Sequence, residues 1–270
     1  MPPNDDVTVV IPCFNHGRFL GEAVESALGQ EGGAPKVIVV DDGSTEEETR
    51  RTLEALPEGV DLVRQSNAGP AAARNAGIEH SQTPLVLMLD ADDRLTPAAI
   101  EALRGPLEEH PEVGYCYGVM RLFGGWSREI RFPDFDPYRL LYRSIAGASL
   151  GLIRRRAWEE AGRFDPSVGG YEDWDFCLSA LEHGWRGLQV REVTLEYRKH
   201  EHSGQEQHRR RYRRTYRRLR AKHAALYQRS PEFAAETDLG PAGRLLYRTY
   251  WAWRPLPASI ERAIYSLVFR

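Results

Sequence analysis

The chain has little cysteine, no strong net charge, no glycine fingerprint and no long apolar run, and each shortage removes a class of protein. Its three cysteines, Cys13, Cys116 and Cys177, are odd in number, far apart and set in apolar surroundings. That spacing offers neither a disulfide framework nor a zinc site, and it fits reduced thiols in the cytoplasm. A formal charge of -3 gives no global attraction to nucleic acid. No apolar segment is long enough to span a bilayer. The start, Met1-Pro-Pro-Asn-Asp-Asp6, has neither the basic flank nor the apolar stretch of a secretion signal, so a cytoplasmic location is expected. A dinucleotide-binding sheet would carry G-x-G-x-x-G after its first strand. Here the chain reads Cys13-Phe-Asn-His-Gly-Arg-Phe19, which argues against a dinucleotide-dependent oxidoreductase.

What is present is a regular alternation of apolar runs and helical patterns across residues 7–110, the mark of βα units with a mainly parallel sheet flanked by helices. Strands are expected at 7–12, 36–41, 60–63 and 86–89. The first is followed by a helix with Phe19, Ala23, Ala27 and Leu28 on one face. The second leads through the turn Gly43-Ser44-Thr45 to a helix at 46–56, and a further helix opens near Gly69-Pro70. At 270 residues the chain suits one large α/β domain with an appendage.

Two of these strands deliver acids to the same edge of the sheet: Asp41 and Asp42 after the second, and Asp90, Asp92 and Asp93 after the fourth. Open α/β sheets bind ligands at this carboxyl edge. On an extended segment Asp90 and Asp92 would point the same way, and paired hard oxygens suit Mg²⁺ or Mn²⁺ bridged to phosphates. The alternative is that Asp90 caps a helix starting near Thr96-Pro97 while Asp92 and Asp93 are solvated. For Asp41 and Asp42 the alternative is turn capping before Glu46.

These motifs resemble those of the family 2 glycosyltransferases, which have the GT-A fold and transfer a sugar from a nucleotide donor. The matching pieces run in order over residues 7–205: Val10-Ile-Pro-Cys-Phe-Asn15, Val40-Asp-Asp-Gly-Ser-Thr45, Asn67-Ala-Gly-Pro-Ala-Ala-Ala-Arg-Asn-Ala-Gly77, Leu89-Asp-Ala-Asp-Asp93, Gly162-Arg-Phe-Asp165 and Tyr171-Glu-Asp-Trp-Asp-Phe176. Each is weak alone, and their shared order is specific. The resemblance implies a catalytic domain over 1–204, with a nucleotide-binding half to about 118 and an acceptor half after it, followed by a basic, aromatic-rich helical extension over 205–270.

Carried over by position, the resemblance implies that Asp42 meets the donor's base, with Pro12, Phe14 and Asn15 packing beside it. Arg74 faces the donor, Asp90 and Ala91 lie on its ribose side, and Asp92 is the ligand of Mn²⁺ or Mg²⁺. Asp173, assisted by Glu172, is the general base of an inverting displacement. The same acids would equally suit the first turn of a helix at 174–183. Arg74 has a surface salt bridge as its alternative. His200 would approach the diphosphate or metal, unless it is a solvated surface histidine. Gly147, Ala148 and Ser149 would line the acceptor pocket, and Trp126 would face a sugar. The donor is expected to be a nucleotide-diphosphate sugar, UDP favoured with GDP and dTDP open, and the acceptor a saccharide or lipid-linked hydroxyl.

The dense arginine run at 209–220 needs separate explanation. Tyr212, Tyr216, Leu219, His223 and Leu226 recur at helical spacing opposite a broad cationic face. Three roles remain open: packing on the catalytic domain, peripheral contact with anionic lipid at the inner membrane face, and a subunit interface in a homo-oligomer. RNA binding has no accompanying module, so no nucleic acid partner is expected. Two other classes compete for the whole chain. A sugar nucleotidyltransferase would show a glycine-rich basic loop after the first strand, which is lacking. A non-catalytic scaffold of the same fold would not need all of Asp42, Asp90, Asp92 and Asp173.

Overall fold

The computed structural model describes residues 4–125, 127–145, 151–199 and 205–253, with backbone alone for 205–211. The first half is the expected alternation: β1 (Val7–Cys13), α1 (Gly17–Leu28), β2 (Lys36–Asp41), α2 (Glu47–Glu54), β3 (Val60–Arg64), α3 (Pro70–His80) and β4 (Leu85–Met88). β1 pairs in parallel with both β2 and β4, and β2 with β3. Both faces of β1 are buried: Val7, Val9 and Ile11 join one core and Val10 the other. A strand covered on both sides is almost wholly apolar, and its one polar residue, Thr8, is buried and hydrogen-bonded to Ser81 and Thr83.

The second half comprises β5 (Arg94–Leu95), α4 (Ala99–Glu109), β6 (Val113–Phe123), β7 (Arg128–Ile130), α5 (Pro137–Tyr142), β8 (Gly151–Arg154), α6 (Arg155–Glu160), α7 (Glu172–Glu182) and β9 (Arg186–Arg198). The strand order is β3-β2-β1-β4-β8-β6-β9-β5, with β7 paired to β6. The sheet is parallel from β3 through β4 and again where β6 pairs with β9, and antiparallel at its other pairings. β8 enters between β4 and β6 antiparallel to both, because the chain returns to that slot from the opposite end after α5. The slot is tight: a Cβ at Gly151 would lie 1.7 Å from the Cys116 carbonyl oxygen.

Element boundaries moved where side chains bind across elements. α4 begins at Ala99 rather than at Thr96-Pro97. Thr96 is instead tied to β9, its hydroxyl donating to the Val193 carbonyl at 2.6 Å and its amide to that of Thr194 at 3.2 Å.

The C-terminal segment folds as α8 (Gln205–Lys222), α9 (Ala224–Gln228), α10 (Ser230–Glu236), α11 (Pro241–Leu246) and a wide turn at Tyr247–Trp251. Its apolar stripe is buried: Tyr212, Tyr216, Leu219, His223 and Leu226 are each under 5 % exposed. Tyr212 and Tyr216 stack on Trp174 of α7, with centroids at 6.2 and 5.9 Å. The segment therefore shares a core with the sheet. Among the described residues no helix is long and apolar enough to cross a membrane.

Candidate active site

The carboxyl ends of β1, β2 and β4 converge, as the alternation requires. Asn15 sits at φ 57°, a left-handed conformation that Asn adopts more readily than most residues. From there its Oδ1 accepts from the amides of Thr45 at 2.8 Å and Glu46 at 3.0 Å. The cap of α2 thus comes from the β1 loop and not from Ser44 or Thr45. Asn15 thus sets the shape of this edge of the sheet. Phe14 beside it is 43 % exposed, a ring open to stacking, while Pro12, one residue before the end of β1, is half-buried.

The two acids after β2 divide their work. Asp41 accepts from the Ser44 amide at 2.8 Å and closes the turn. Asp42, 3 % exposed, reaches the β3–α3 loop. There its Oδ1 accepts from Gln65 Nε2 at 2.7 Å and the Ala68 amide at 2.8 Å, and its Oδ2 from the Gly69 amide at 2.9 Å. A carboxylate offers about four lone-pair sites, so one acceptor direction remains for a ligand donor.

The acids after β4 do not continue the strand. β4 stops at Met88, and the Asp93 amide donates to the Asp90 carbonyl at 3.0 Å, closing a turn. The alternating geometry expected of an extended segment is therefore replaced, and the acids diverge. Asp90 turns to Arg74, and Asp92 lies 3.9 Å from His16 Nδ1. Asp93 is 1 % exposed and accepts from the Arg198 amide at 2.8 Å. Burial, with the charges of Asp90 and Asp92 adding to it, pushes the Asp93 carboxyl up to about 9. It is a neutral prop under the turn. Asp90 caps no helix, since α4 starts after Ala98.

Arg74 is no surface pair. It is buried on α3, with Nη1 donating to Glu172 Oε1 at 2.7 Å and Nη2 to Asp90 Oδ1 at 2.8 Å. Burial opposes its charge, but Asp90 and Glu172 more than offset this and hold its pKa above the ordinary range. α3 can lie close enough because Gly77, one turn on, has no side chain; a Cβ there would be 2.3 Å from Val10 Cγ1. One guanidinium thus joins the acidic turn of the first half to the first turn of α7 in the second.

Asp173, at the start of α7, is half-buried, and its Oδ1 accepts from the Trp174 amide at 2.7 Å. Burial first, and the neighbouring Glu172 charge second, push its carboxyl up to about 7. Both acids occupy the first turn of α7, where the helix dipole favours negative charge. Ala91 is buried within the acidic turn. Trp126, Gly147, Ala148, Ser149 and His200 lie outside the described residues.

One neighbour had no assigned role in the sequence. Arg198, the last residue of β9, donates from Nε to the Asp92 carbonyl at 2.9 Å and from Nη2 to Glu22 of α1 at 2.8 Å. Its guanidinium rests over the rings of Phe19 and Phe123. It clasps the acidic turn from behind. No local pattern marks it, because its partners come from α1 and the β4 turn.

A divalent cation fits this edge in part. Asp92 supplies a hard oxygen on a partly exposed turn, with His16 adjacent, but no group of three or more His, Cys, Asp or Glu side chains forms a metal cluster among the described residues. Such a donor set suits an ion that takes most of its ligands from substrate phosphates and water. The thiols do not compete: burial pushes Cys13 up to about 11 and Cys116 up to about 12.

A mixed α/β sheet thus carries acids and an exposed ring at its carboxyl edge, facing a buried Arg–Glu pair and an Asp whose pKa is raised. Residues 8–159 match the family described as Glycosyl transferase family 2, and the chain belongs to it. It is 30% identical over 201 residues to the succinoglycan biosynthesis protein ExoU of Rhizobium meliloti strain 1021, covering 67% of this chain and 58% of that protein. To ExoO of the same organism it is 32% identical over 202 residues, covering 67% and 57%. The matches thus span a little over half the length of these relatives. Among solved structures, S. aureus TarS 1-349 in complex with UDP superposes with TM-score 0.66 at 18% identity, covering 98% of this chain and 75% of that one. The mannosyltransferase PcManGT of Pyrobaculum calidifontis, in complex with GDP-Man and Mn2+, gives 0.62 at 21% identity, covering 100% and 88%. These likenesses establish the GT-A fold.

Proposed function

We propose that the protein is an inverting glycosyltransferase that moves a sugar from a nucleotide-diphosphate donor, UDP-linked by preference, to a hydroxyl of a saccharide or lipid-linked acceptor. The observation that carries this is the Arg74 bridge, which sets the donor-side Asp90 and the acceptor-side Glu172 within one guanidinium's reach, beside Asp173. On this reading Phe14 stacks on the base and Asp42 accepts from its ring N–H. Asp90 and Ala91 flank the ribose, and Asp92 holds Mn²⁺ or Mg²⁺. A bound cation would neutralise the departing diphosphate. Asp173, whose pKa of about 7 suits a base working near neutrality, takes the acceptor hydroxyl's proton as that oxygen attacks the anomeric carbon. Direct displacement from the far side inverts the anomeric centre.

The names of the relatives, succinoglycan biosynthesis proteins, support a place in polysaccharide assembly. The test is calorimetry of UDP, GDP and dTDP with and without Mn²⁺, followed by single-turnover transfer. Asp92→Asn should lose metal-dependent binding. Asp173→Asn should keep nucleotide binding and lose on the order of 10²–10⁴-fold in transfer. Equal loss of nucleotide binding in both variants would overturn the division of roles.

A further inference from the structure

We propose that the outer face of α8 is a docking surface for anionic lipid headgroups, held in fixed register to Asp173 so that a lipid-linked acceptor meets the base. This rests on the transferase reading above. The inner face of α8 is committed: Tyr212 and Tyr216 stack on Trp174, the residue after Asp173. Its C-terminal end is locked by charge. Lys222 donates to Asp165 and to the buried Asp175, each at 2.7 Å. His223 lies between Asp175 at 2.9 Å and Glu182 at 3.0 Å. α8 is therefore fixed to the same helix that carries the base.

The opposite face is cationic. Arg213, Arg214, Arg217, Arg218 and Arg220 are exposed, and at 3.6 residues per turn they fall in an arc facing away from the tyrosine stripe. Glu206, at the start, is the single acidic residue in the sequence of α8. None of Arg214, Arg217, Arg218 and Arg220 meets a carboxylate among the described residues; Arg218 instead touches the Ser167 carbonyl at 3.4 Å. Ser167 belongs to the loop that runs into Tyr171 and Glu172, so the arginine face borders the approach to the base. Clustered arginines without internal counter-charges are complementary to a phosphate-rich surface.

Lipid fits better than RNA. Single-stranded RNA binding uses exposed aromatic platforms, whereas Tyr212 and Tyr216 are buried on the inner face. The adjoining α11 exposes Leu245 and Leu246, 61 and 50 % accessible, which suit the headgroup region of a bilayer.

The test is flotation of the full chain with vesicles of phosphatidylcholine alone or mixed with phosphatidylglycerol, using wild type and Arg214→Gln/Arg217→Gln/Arg218→Gln/Arg220→Gln. Wild type should bind only the mixed vesicles, less so at high salt, and the variant should fall by on the order of 100- to 1,000-fold. Nucleotide calorimetry on the same variant should be unchanged, which separates a lost surface from a lost fold. Equal binding of variant and wild type, binding to phosphatidylcholine alone, no binding to either vesicle, or tighter binding to single-stranded RNA would each overturn the proposal. Vesicle binding by a wild type that binds no nucleotide would leave the docking surface standing and remove the transferase reading.

Discussion

At the scale of single residues, the chemistry depends on what surrounds each carboxylate. Asp93 and Asp173 are both raised by burial, to about 9 and about 7, yet only Asp173 is left where an acceptor could meet it. Because a raised carboxyl is protonated below its pKa, transfer should rise with pH through about 7 and level off above it. Removing the neighbouring charge in Glu172→Gln should move that limb to lower pH; a pH–rate profile of both proteins checks the sign. Arg74→Met would leave the buried Glu172 without its partner. It should cost about 3 kcal/mol or more, read from urea unfolding. Asp42 and Asp173 were singled out from motif position, but the bonds that Asn15 and Arg198 make were not. Both act through partners distant in sequence, and neither a period nor a spacing reveals a bond between the β1 loop and α2 or between β9 and the acidic turn.

At the scale of elements, close approach decides what reaches the site. Gly77 lets α3 settle on Val10 and Val40, and that contact sets the height of Arg74 above the sheet edge. Gly77→Ala should destabilise by about 1–3 kcal/mol and also weaken nucleotide binding, because the helix must lift. Tyr216→Ala, emptying the stack on Trp174, should cost about 3 kcal/mol. Parallel strands β1 to β4 could be read from their predominantly apolar runs. β8 could not be placed, since antiparallel insertion between β4 and β6 depends on a return path and on the Gly151–Cys116 contact rather than on local pattern. The basic helix was legible as amphipathic; which of its possible partners takes the apolar stripe became clear only from Trp174.

For the molecule as a whole, the shared core makes the C-terminal helices and the sheet one cooperative unit. Thermal unfolding followed by far-ultraviolet circular dichroism and by tryptophan fluorescence should give coincident transitions, and two separated steps would contradict this. The Arg74 bridge has a wider consequence. Asp90 and Glu172 share one buried cation, Arg74, and Glu172 and Arg74 both belong to the electrostatic field that sets the proton affinity of Asp173. A donor that draws on Asp90 must therefore alter how tightly Asp173 holds its proton. By thermodynamic reciprocity, protonating Asp173 must change donor affinity by the same factor. On the proposed reading, proton and nucleotide are coupled ligands of a single site, and the pH dependence of nucleotide affinity measures the strength of that coupling without any sugar being transferred.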